Sequence, residues 1–546
     1  MTPFEETPPQ VGADAVPDSV SRRGLGAPSR GPVFGSKYAV ASDHPAVSQA
    51  AMAMMTQRGG NAADAAVAAA MVNVVVKPHY THLGGDAFAL IWRKRAGEVD
   101  CLNAGGRAPL AATAEMFAGG VPQTGPRSCT VPGFVDAVLE VYKGYATLPL
   151  ATLFEPALRL CEEGFPVSMR LAGAMKMLAG NTSADTATLR ETYLKNGAPY
   201  APGETLRLPD LAATLREIVD LEREAFYDGD LTQKIAKAVS DAGGLLTVED
   251  FKEPTAIWSE PLQTTYRGCN VYEQALPSQG LILLMALNIV ENFPLADWGA
   301  SADALHVMIE ATKLAFADSR RYSADPDFET VPAEKLLSKE HARARAAEID
   351  LKRAKAHAPA MLDGDTTEFV VADGEIAIAF IQTIFSAWGS GFMIPGTGIV
   401  MTNRLGGFNP DPAHPNHVAP GKRTVHTLNT FMALRDGEMV VGGGTPGRDF
   451  QVQNNLQTLA GVIDWGLDLQ AAVDMPRWVL TGGDDVAVEG RFPDAVLADL
   501  EARGHKLKRL AAWDGNVARS QVMATTPGGG WAVASDLRGE GIALAQ

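Results

Sequence analysis

The stretch TTEFVVADGEIAIAFIQTIF, residues 366–385, constrains the fold more than any other part of the chain. Two runs of alternating, strand-forming residues flank the dipeptide Asp373-Gly374. An Asp-Gly pair between two such runs is the strongest short-range signal for a β-hairpin. The stretch therefore predicts two antiparallel strands joined by a tight turn.

The turn also predicts which residues pair. A two-residue turn at the Asp-Gly dipeptide pairs Ala372 with Glu375, and it places Thr366 opposite Ile381. Thr383 is then the diagonal neighbour of Thr366 on the same face of the hairpin. Two hydroxyl groups are thus expected to meet where the first strand begins, although threonine is also common in strands for packing alone.

The rest of the chain mixes helical and strand patterns. Residues 44–76 predict two helices, the first ending at a Gly-Gly pair and the second capped by Asn61. Residues 149–239 and 302–322 have helical periodicity, whereas the segment around Gly97 alternates as a hairpin does. These patterns indicate an α+β protein.

Composition excludes several classes of protein. The net charge of −17 argues against general nucleic-acid binding, which needs a basic surface. No apolar run reaches the roughly 18 residues of a membrane span, and the N-terminus has neither the basic nor the apolar region of a secretion signal. We expect a cytoplasmic protein with a disordered or extended tail over residues 1–35. The four cysteines are widely spaced, which favours a reducing compartment: Cys101, Cys129, Cys161 and Cys269.

A glycine-rich turn, GGGTPGRDF, follows a predicted strand and precedes a predicted helix. Gly442, Gly444 and Gly447 match the spacing G-x-G-x-x-G of dinucleotide sites, but the match lies late in the chain and Pro446 interrupts it. Glycines that only permit a tight turn are one alternative. An oxyanion hole, in which backbone N–H groups at a helix N-terminus face a developing negative charge, is another.

A threonine nucleophile needs a base, and its own α-amino group serves when the threonine is N-terminal. Thr366 reaches that state only if the bond between Asp365 and Thr366 is cut. A threonine at a strand start, a second hydroxyl beside it and a turn rich in N–H groups are the parts that such chemistry requires.

With these motifs, the chain resembles the γ-glutamyltransferase family of N-terminal nucleophile hydrolases. The resemblance extends from about Ser36 to the C-terminus through many segments in order. They include GGNAADAAVAA, HLGGDAF, TVPGF, LPDLAATL, AFYDG, LPSQGL, GDTTEF, PGKR, GTPGRDF and DMPRW.

The resemblance implies a four-layer αββα sandwich and a precursor that cleaves itself before Thr366. Residues 36–365 would then form the large subunit and residues 366–546 the small one. The two would stay associated, with a dimer of such pairs possible and with no cofactor. Thr383 matches the threonine that hydrogen-bonds the nucleophile. Gly447 and Arg448 match the Gly-Gly pair of the oxyanion hole.

Several departures concern the substrate. Where the family holds the α-carboxylate of a γ-glutamyl group with an arginine, this chain has Gly105, and Arg107 follows two residues later. Where the family has a glutamine and an acid near the α-amino group, this chain has Arg404 and Gly407. The histidine expected two residues after the nucleophile is Glu368.

Three further substitutions lie at expected substrate contacts: Phe385 replaces an asparagine, and His426 and Thr427 replace a pair of serines. Positive charge has been added and the acid removed, so we expect an acyl group that bears a carboxylate and lacks an ammonium. Oxamate-type and other dicarboxylate half-amides fit, as does a glutaryl group. The pattern looks most like the branch that includes oxamate amidohydrolases. For Arg107 and Arg404, a surface charge or a structural salt bridge is an equally good interpretation.

Three alternatives stay open at this point. The chain could be a true γ-glutamyl hydrolase or transferase with rearranged contacts, an uncut scaffold with a binding role, or a dinucleotide-binding protein. His79 and His82 are candidate substrate contacts or packed histidines, and Asp86 and Asp449 are candidate helix caps. No histidine pair has zinc-type spacing, so we expect no metal.

Overall fold

The structure is a computed structural model that describes residues 30–355 and 366–546. Residues 1–29 of the expected tail and Asp365 lie outside the described residues. The last residues of that expected tail form a short strand, Val33–Gly35.

The strands are β1 Val33–Gly35, β2 Ala39–Ser42, β3 Asp86–Arg93, β4 Glu98–Ala104, β5 Phe165–Pro166, β6 Thr205–Leu206, β7 Ile257–Ser259, β8 Leu262–Tyr266, β9 Cys269–Glu273, β10 Thr367–Ala372, β11 Ile376–Thr383, β12 Met393–Ile394, β13 Ile399–Val400, β14 Thr430–Arg435, β15 Glu438–Gly444, β16 Trp478–Gly482, β17 Asp485–Glu489, β18 Lys506–Leu510, β19 Gln521–Thr525, β20 Trp531–Ser535 and β21 Ile542–Ala545.

The helices are α1 Pro45–Thr56, α2 Ala62–Val76, α3 Phe134–Tyr145, α4 Leu150–Glu163, α5 Met169–Ala179, α6 Ala187–Tyr193, α7 Pro209–Leu221, α8 Arg223–Tyr227, α9 Asp230–Asp241, α10 Gly280–Val290, α11 Leu295–Trp298, α12 Ala302–Tyr322, α13 Ala333–Leu336, α14 Lys339–Ala346, α15 Phe450–Ile463, α16 Leu469–Asp474 and α17 Asp494–Ala502. None of these helices is both long and apolar enough to cross a membrane.

Two antiparallel, seven-stranded sheets form the centre of the molecule. Sheet A has the order β1-β20-β19-β15-β14-β9-β8, and sheet B has the order β21-β2-β10-β11-β3-β4-β7. Helices α10, α12, α15 and α16 cover the outer face of sheet A, and α1, α2 and α3 cover that of sheet B. The layers are therefore helix, sheet, sheet, helix, as the family resemblance implies.

Alternating side chains on each strand fill two cores at once. On β10, Phe369 and Val371 pack toward the helices that cover sheet B. Val370 and Ala372 face the other way, into the core between the sheets. That inner core includes Trp92 of sheet B. Because both faces of the central strands are buried, their sequences are apolar throughout rather than alternating with charge.

The expected helices over residues 44–76 are confirmed as α1 and α2. Asn61 caps α2 by accepting from the backbone N–H groups of Ala63 and Asp64. The Asp64 carboxylate in turn accepts from the backbone N–H of Asn61 at 2.8 Å, which completes a capping box.

The hairpin of β10 and β11 is confirmed, but its predicted register is wrong by two residues. Ala372 pairs with Ala377 rather than with Glu375. Asp373 takes the first position of the turn, where its Oδ1 accepts from the N–H groups of Glu375 and Ile376 at 2.6 and 2.9 Å. Aspartate favours this position of a type I turn because its carboxylate reaches the backbone two residues ahead.

Candidate active site

The corrected register brings four residues into one row at the end of sheet B. Thr367 pairs with Gln382, so the residue opposite Thr366 is Thr383 itself rather than Ile381. Thr383 pairs in turn with Asp86 on β3, and the register of β3 with β4 extends the row to Gly105. Thr366, Thr383 and Asp86 are all buried. The two hydroxyl-bearing residues thus lie directly across from each other, one strand apart.

The row faces the core between the sheets, as the alternation along β10 requires. Two residues beyond Thr366, the buried Glu368 lies on the same face. A Cβ atom on Gly444 of sheet A would lie 2.5 Å from Glu368 Oε2. The glycine therefore makes room for the carboxyl group, and the two sheets touch just before the glycine-rich turn.

Glu368 is in an unusual state for an acid. Neither of its carboxyl oxygens has a hydrogen-bond partner among residues 30–355 and 366–546. Burial, with the nearby Glu273 as a smaller cause, raises the pKa of Glu368 well above its usual value. Burial therefore favours the neutral form of the acid, because an ionised carboxylate would need a partner there.

The turn after β15 carries the two candidate oxyanion-hole residues. Gly447 and Arg448 both have positive φ angles, 125° and 48°. Their carbonyls accept from the N–H groups of Phe450 and Gln451 at the start of α15. The turn therefore joins a central strand of sheet A to a helix N-terminus, where backbone N–H groups favour negative charge.

Asp86 is the centre of a buried polar cluster. Its Oδ2 accepts from Arg404 Nε at 3.1 Å and from His426 Nε2 at 3.2 Å, and its Oδ1 accepts from Gly106 N at 2.8 Å. Burial alone would raise the pKa of Asp86, but the hydrogen bond from His426 and the charge of Arg404 outweigh it and hold the pKa below its usual value. Asp86 begins a strand and caps no helix, so that part of the sequence interpretation is wrong.

His426 is neutral in this cluster. Its Nδ1 accepts from Leu428 N at 3.2 Å, which leaves the proton on Nε2 for the bond to Asp86. Burial and the charge of Arg404 lower the pKa of His426 to about 4, against the opposing effect of Asp86. The ring also lies 3.3 Å from the position of a Cβ atom on Gly105. An imidazole therefore occupies the space that a side chain at position 105 would need.

Arg404 is buried with unused hydrogen-bonding capacity. Its side chain is 1% exposed. In the part of the chain that the structure describes, neither Nη1 nor Nη2 of this residue has a hydrogen-bond partner. Burial lowers the pKa of Arg404 to about 10, with Asp86 opposing and Arg448 adding to that effect. The guanidinium stays charged at neutral pH, so its two terminal nitrogens are suited to an anionic ligand.

Phe385 brings the two arginines together. The guanidinium carbon of Arg404 lies 4.0 Å from the centre of the Phe385 ring, and that of Arg448 lies 3.6 Å from it. Both are cation–π distances. Arg448 Nη2 also donates to Ser386 Oγ at 2.9 Å. Phe385 N donates to Thr383 Oγ1 at 2.8 Å, which ties the aromatic ring to the candidate catalytic row.

A cavity of about 390 Å³ opens beside Phe385, Thr427 and Asp449. Gln279 forms another part of its wall and donates from Nε2 to Asp449 Oδ1 at 2.6 Å. The remaining lining residues come from α10, α12 and the chain before β14: Ile282, Phe316, Ser319, Arg320, Ser323, Gly406, Gly407, Phe408, Asn409, Pro410, His414, Asn416 and Val425. Phe385 and Thr427, both expected at the substrate site, thus border the same cavity.

Comparison with known proteins agrees with this geometry. The sequence profile described as gamma-glutamyltranspeptidase matches residues 47–546. The chain belongs to the gamma-glutamyltranspeptidase family. Within it, the chain is 34% identical over 524 residues to a glutathione hydrolase-like YwrD proenzyme of Bacillus subtilis (strain 168), covering 94% of this chain and 99% of that protein.

Two other members of the family are similar over nearly their whole length. An oxamate amidohydrolase proenzyme of Klebsiella pneumoniae subsp. pneumoniae is 34% identical over 527 residues, covering 92% of this chain and 97% of that protein. The crystal structure of a cephalosporin acylase from Bacillus halodurans superimposes with a TM-score of 0.89 at 36% identity, covering 95% and 98% of the two chains. The chain is thus a family hydrolase of amide bonds, and its proenzyme relatives imply a precursor that gives two subunits.

Family membership does not bring every expected residue to the cavity. Arg107 forms an isolated antiparallel bridge with Arg423 and does not line the cavity. The charge of Arg107 adds to burial in lowering the pKa of Arg423 to about 10. His426 lies behind the wall, bound to Asp86. Asp86 itself was missed as a site residue, although its place directly after Gly84-Gly85, where a strand begins, was visible in the sequence.

The structure bears on two cofactor interpretations. Gly442 and Gly444 lie inside β15 rather than in the turn after it, unlike the glycines of a dinucleotide site. Elsewhere, His306, Glu310 and His505 bring possible metal-ligand atoms within 4.8 Å of one another. Those groups already pair internally, because His306 Nδ1 lies 2.8 Å from His505 Nε2 and Lys313 donates to Glu310. Internal pairing accounts for this cluster.

His82 is a packed histidine with hydrogen-bonding contacts to two other parts of the chain. Its Nδ1 accepts from Val400 N at 3.3 Å, and its Nε2 lies 3.4 Å from Tyr193 Oη. Burial lowers the pKa of His82 to about 3. His79 is likewise buried, and burial lowers its pKa well below the usual value.

This burial predicts a pH dependence of stability. In the unfolded chain His82 has a pKa near 6.5, so acidification protonates the unfolded state before the folded state. The free energy of unfolding is therefore highest above pH 6.5, and it falls as the pH decreases toward the lower pKa of the folded state. For one such residue, linkage predicts a loss of about 2 kcal/mol between pH 7 and pH 5. Urea unfolding at both pH values should show a smaller loss for His82→Gln than for the parent. Equal losses in the two proteins would contradict the assignment.

Proposed function

We propose that this protein is an N-terminal-threonine amidohydrolase that cleaves itself and then hydrolyses the amide of a small, carboxylate-bearing acyl group. Oxamate-like groups and dicarboxylate half-amides are the intended class. The observation that carries the proposal is the buried guanidinium of Arg404, whose two terminal nitrogens are unpaired within the described residues. A substrate carboxylate would satisfy both nitrogens at once.

Self-cleavage comes first in this mechanism. Thr366 Oγ attacks the carbonyl carbon of Asp365, the C–N bond between the two residues breaks, and the peptide nitrogen takes the proton to become the α-amine of Thr366. Water then hydrolyses the resulting ester and frees the hydroxyl. The row of Thr366 and Thr383 supports this step, because the second threonine lies directly opposite the first.

Turnover repeats the same chemistry on the substrate. The free α-amine accepts the proton of Thr366 Oγ as the oxygen attacks the amide carbonyl, and that proton passes to the departing amine. Backbone N–H groups of Gly447 and Arg448 stabilise the oxyanion. Water, deprotonated by the same amine, then attacks the acyl ester, releasing the acid and restoring the hydroxyl of Thr366.

A γ-glutamyl donor fits this site poorly, because Gly407 stands where the family has the acid that pairs with the α-ammonium. A Cβ atom on Gly407 would lie 3.1 Å from Thr424 Oγ1, and one on Gly406 would lie 2.7 Å from Gln123 Oε1. Neighbouring side chains thus fill the space of an acid at these positions. Asp86 already binds Arg404, and an unpaired buried ammonium costs on the order of several kcal/mol.

A matched set of chromogenic amides tests the acyl group. Glutaryl 4-nitroanilide and γ-glutamyl 4-nitroanilide differ only in the α-ammonium, whereas pentanoyl 4-nitroanilide lacks the terminal carboxylate. With oxalyl and succinyl 4-nitroanilides added, we expect the best carboxylate-bearing amide to exceed both the γ-glutamyl and the pentanoyl compound in kcat/KM by roughly 100-fold or more, which is about 2.7 kcal/mol.

The same assay separates the alternatives. A preference for the γ-glutamyl compound would make the protein a true γ-glutamyl hydrolase or transferase and would contradict the proposal. No turnover by a chain that also stays uncut would favour the scaffold with a binding role. Two relatives, the oxamate amidohydrolase and the cephalosporin acylase, have names that mention no γ-glutamyl group, which supports the proposed preference for a carboxylate-bearing amide without an ammonium.

A further inference from the structure

A buried acid without a partner lies two residues after Thr366. Glu368 is 0% exposed, and neither of its carboxyl oxygens has a hydrogen-bond partner within the described ranges. A buried polar group without a partner costs free energy, so its partner is to be sought in another state of the protein or in a ligand. Neither self-cleavage nor turnover, as proposed, uses this carboxyl group.

Glu368 and Thr366 share one face of β10. Side chains two residues apart on a strand point the same way, so both residues face the core between the sheets. Their Cα atoms are about 7 Å apart in an extended strand, a distance that a glutamate side chain leaning along the strand can span directly or through one water. The carboxyl group lies beside Gly444, at the end of sheet A that carries the glycine-rich turn.

No cation among the described residues pairs with Glu368. Beyond β2, Lys77 and Arg519 both donate to the carboxylate of Asp43 instead. Burial, and after it the charge of the buried Glu273 on β9, raises the pKa of Glu368 well above its usual value. The other neighbours at this level of the sheets are uncharged: Ile381 on β11, Gly444 on β15 and Gln521 on β19.

Cleavage before Thr366 would create the missing cation. In the uncut chain the nitrogen of Thr366 is a neutral amide, whereas after cleavage it is an α-amine that takes a proton near neutral pH. An amine formed beside a protonated carboxyl group can take that proton: the O–H bond of Glu368 breaks, a third N–H bond forms on Thr366, and the net charge of the site does not change. The uncut and cut states would then differ in the ionisation of Glu368.

We propose, resting on the self-cleavage in the proposed function, that Glu368 is a positioning residue that binds and orients the α-amine of Thr366 in the cut enzyme and has no partner in the uncut chain. A hydrogen bond from the amine to the carboxylate directs the nitrogen lone pair toward Thr366 Oγ, as its role of base requires. Burial favours the neutral amine and the carboxylate favours its charged form, so together they keep the base close to the pH at which it works.

Infrared difference spectra test the change in ionisation. A protonated carboxyl group has a C=O stretching band that a carboxylate lacks. Because Glu273 is a second buried acid with a raised pKa, the comparison uses Glu273→Gln with and without Thr366→Ala. We expect the uncut double variant to show a protonated-carboxyl band that the cut Glu273→Gln protein lacks. Adding Glu368→Gln to the uncut chain should remove this band, which assigns it.

Glu368→Gln tests the role in turnover. Glutamine has the shape of the protonated acid, so we expect the variant to fold and to cleave itself within about twofold of the parent rate. With the best 4-nitroanilide, kcat should fall by roughly tenfold or more while KM changes by less than about twofold. The acid limb of kcat should move to lower pH by roughly one unit, because the charge that favours the ammonium is gone.

Glu273→Gln is the matched control for the kinetics, because it replaces the other buried acid between the sheets. Its kcat and the acid limb of its pH profile should match those of the parent. A purely structural role of Glu368 would lower stability without moving the acid limb. An unmoved limb in Glu368→Gln, or an equal shift in both variants, would overturn the inference.

Failure of the inference and failure of the proposed function have different signatures. A cut protein that keeps the carboxyl band would overturn the inference alone. A parent that stays uncut would contradict self-cleavage, and the inference with it, whereas a preference for γ-glutamyl amides would leave the expected loss of the band unchanged. If Glu368→Gln does not fold, the cut and uncut Glu273→Gln proteins still decide, because they retain Glu368.

Discussion

Replacing Thr366 with alanine is expected to leave one uncut chain of 57.8 kDa without turnover. The parent should instead give two fragments of roughly 39 and 19 kDa, divided by residue count, with the smaller beginning at Thr366. Alanine removes the hydroxyl that attacks in both self-cleavage and turnover. The loss of kcat should therefore reach at least roughly 10⁴-fold, as for other catalytic nucleophiles.

The adjacent threonine provides the matched control. Thr367 is equally buried, but it faces away from the row, and its Oγ1 has no hydrogen-bond partner in the described ranges. Thr367→Val keeps its shape and removes only that hydroxyl, so cleavage and turnover should persist. Thr366→Ser retains a nucleophile and should still be cut. Denaturing gels and intact masses of these proteins measure the cleavage. Cleavage or turnover in Thr366→Ala would show that a different residue is the nucleophile.

Replacing Arg404 with methionine is expected to reduce kcat/KM for carboxylate-bearing amides by roughly 100-fold or more, because a charged, buried hydrogen-bonding pair is lost from the bound state. Turnover of pentanoyl 4-nitroanilide, which has no carboxylate to bind, should change far less. Steady-state kinetics on this pair of substrates measures the difference. A similar loss on both substrates would mean that Arg404 acts on the fold rather than on the acyl group.

Arg404→Met also lowers the stability of the fold, because removing one partner of a buried ion pair leaves the other partner without a compensating charge. Asp86 keeps its bonds from His426 and Gly106, which limits that cost. Self-cleavage of this variant shows whether its active site still folds correctly. Arg404→Lys adds a second test: it keeps the charge but loses the planar fork, so its kcat/KM should fall between those of the parent and the methionine variant.

The hairpin of β10 and β11 shows which features could be predicted from the sequence and which could not. Alternation and the Asp-Gly pair were enough to predict two strands over residues 366–385. They did not determine the pairing, because Asp373 can begin a type I turn as well as occupy its centre. The choice depends on tertiary contacts: Asp373 Oδ2 also accepts from Ala62 N at the start of α2. One side chain thus fixes the turn and caps a distant helix.

The candidate substrate site was predictable in composition but not in arrangement. Substitutions at Gly105 and Arg404 indicated that the acyl group differs from a γ-glutamyl group. That His426 fills the space at Gly105 could not be inferred, because the two positions are some 320 residues apart and meet only when β4 lies beside the chain before β14. The position of Arg107 could not be inferred either, since Arg423, its partner in an isolated β-bridge, is equally distant in sequence.

The order of strands has a consequence for the two fragments that the proposed cleavage before Thr366 would give. In sheet B, β10 and β11 come from the chain after residue 365, and they lie between β2 and β3 from the chain before it. In sheet A, β8 and β9 extend a run of strands from the later part. Pulling the fragments apart would open both sheets and expose the inner core to water. The pair should consequently behave as one molecule on dilution, with a one-to-one ratio inherited from a single translation product.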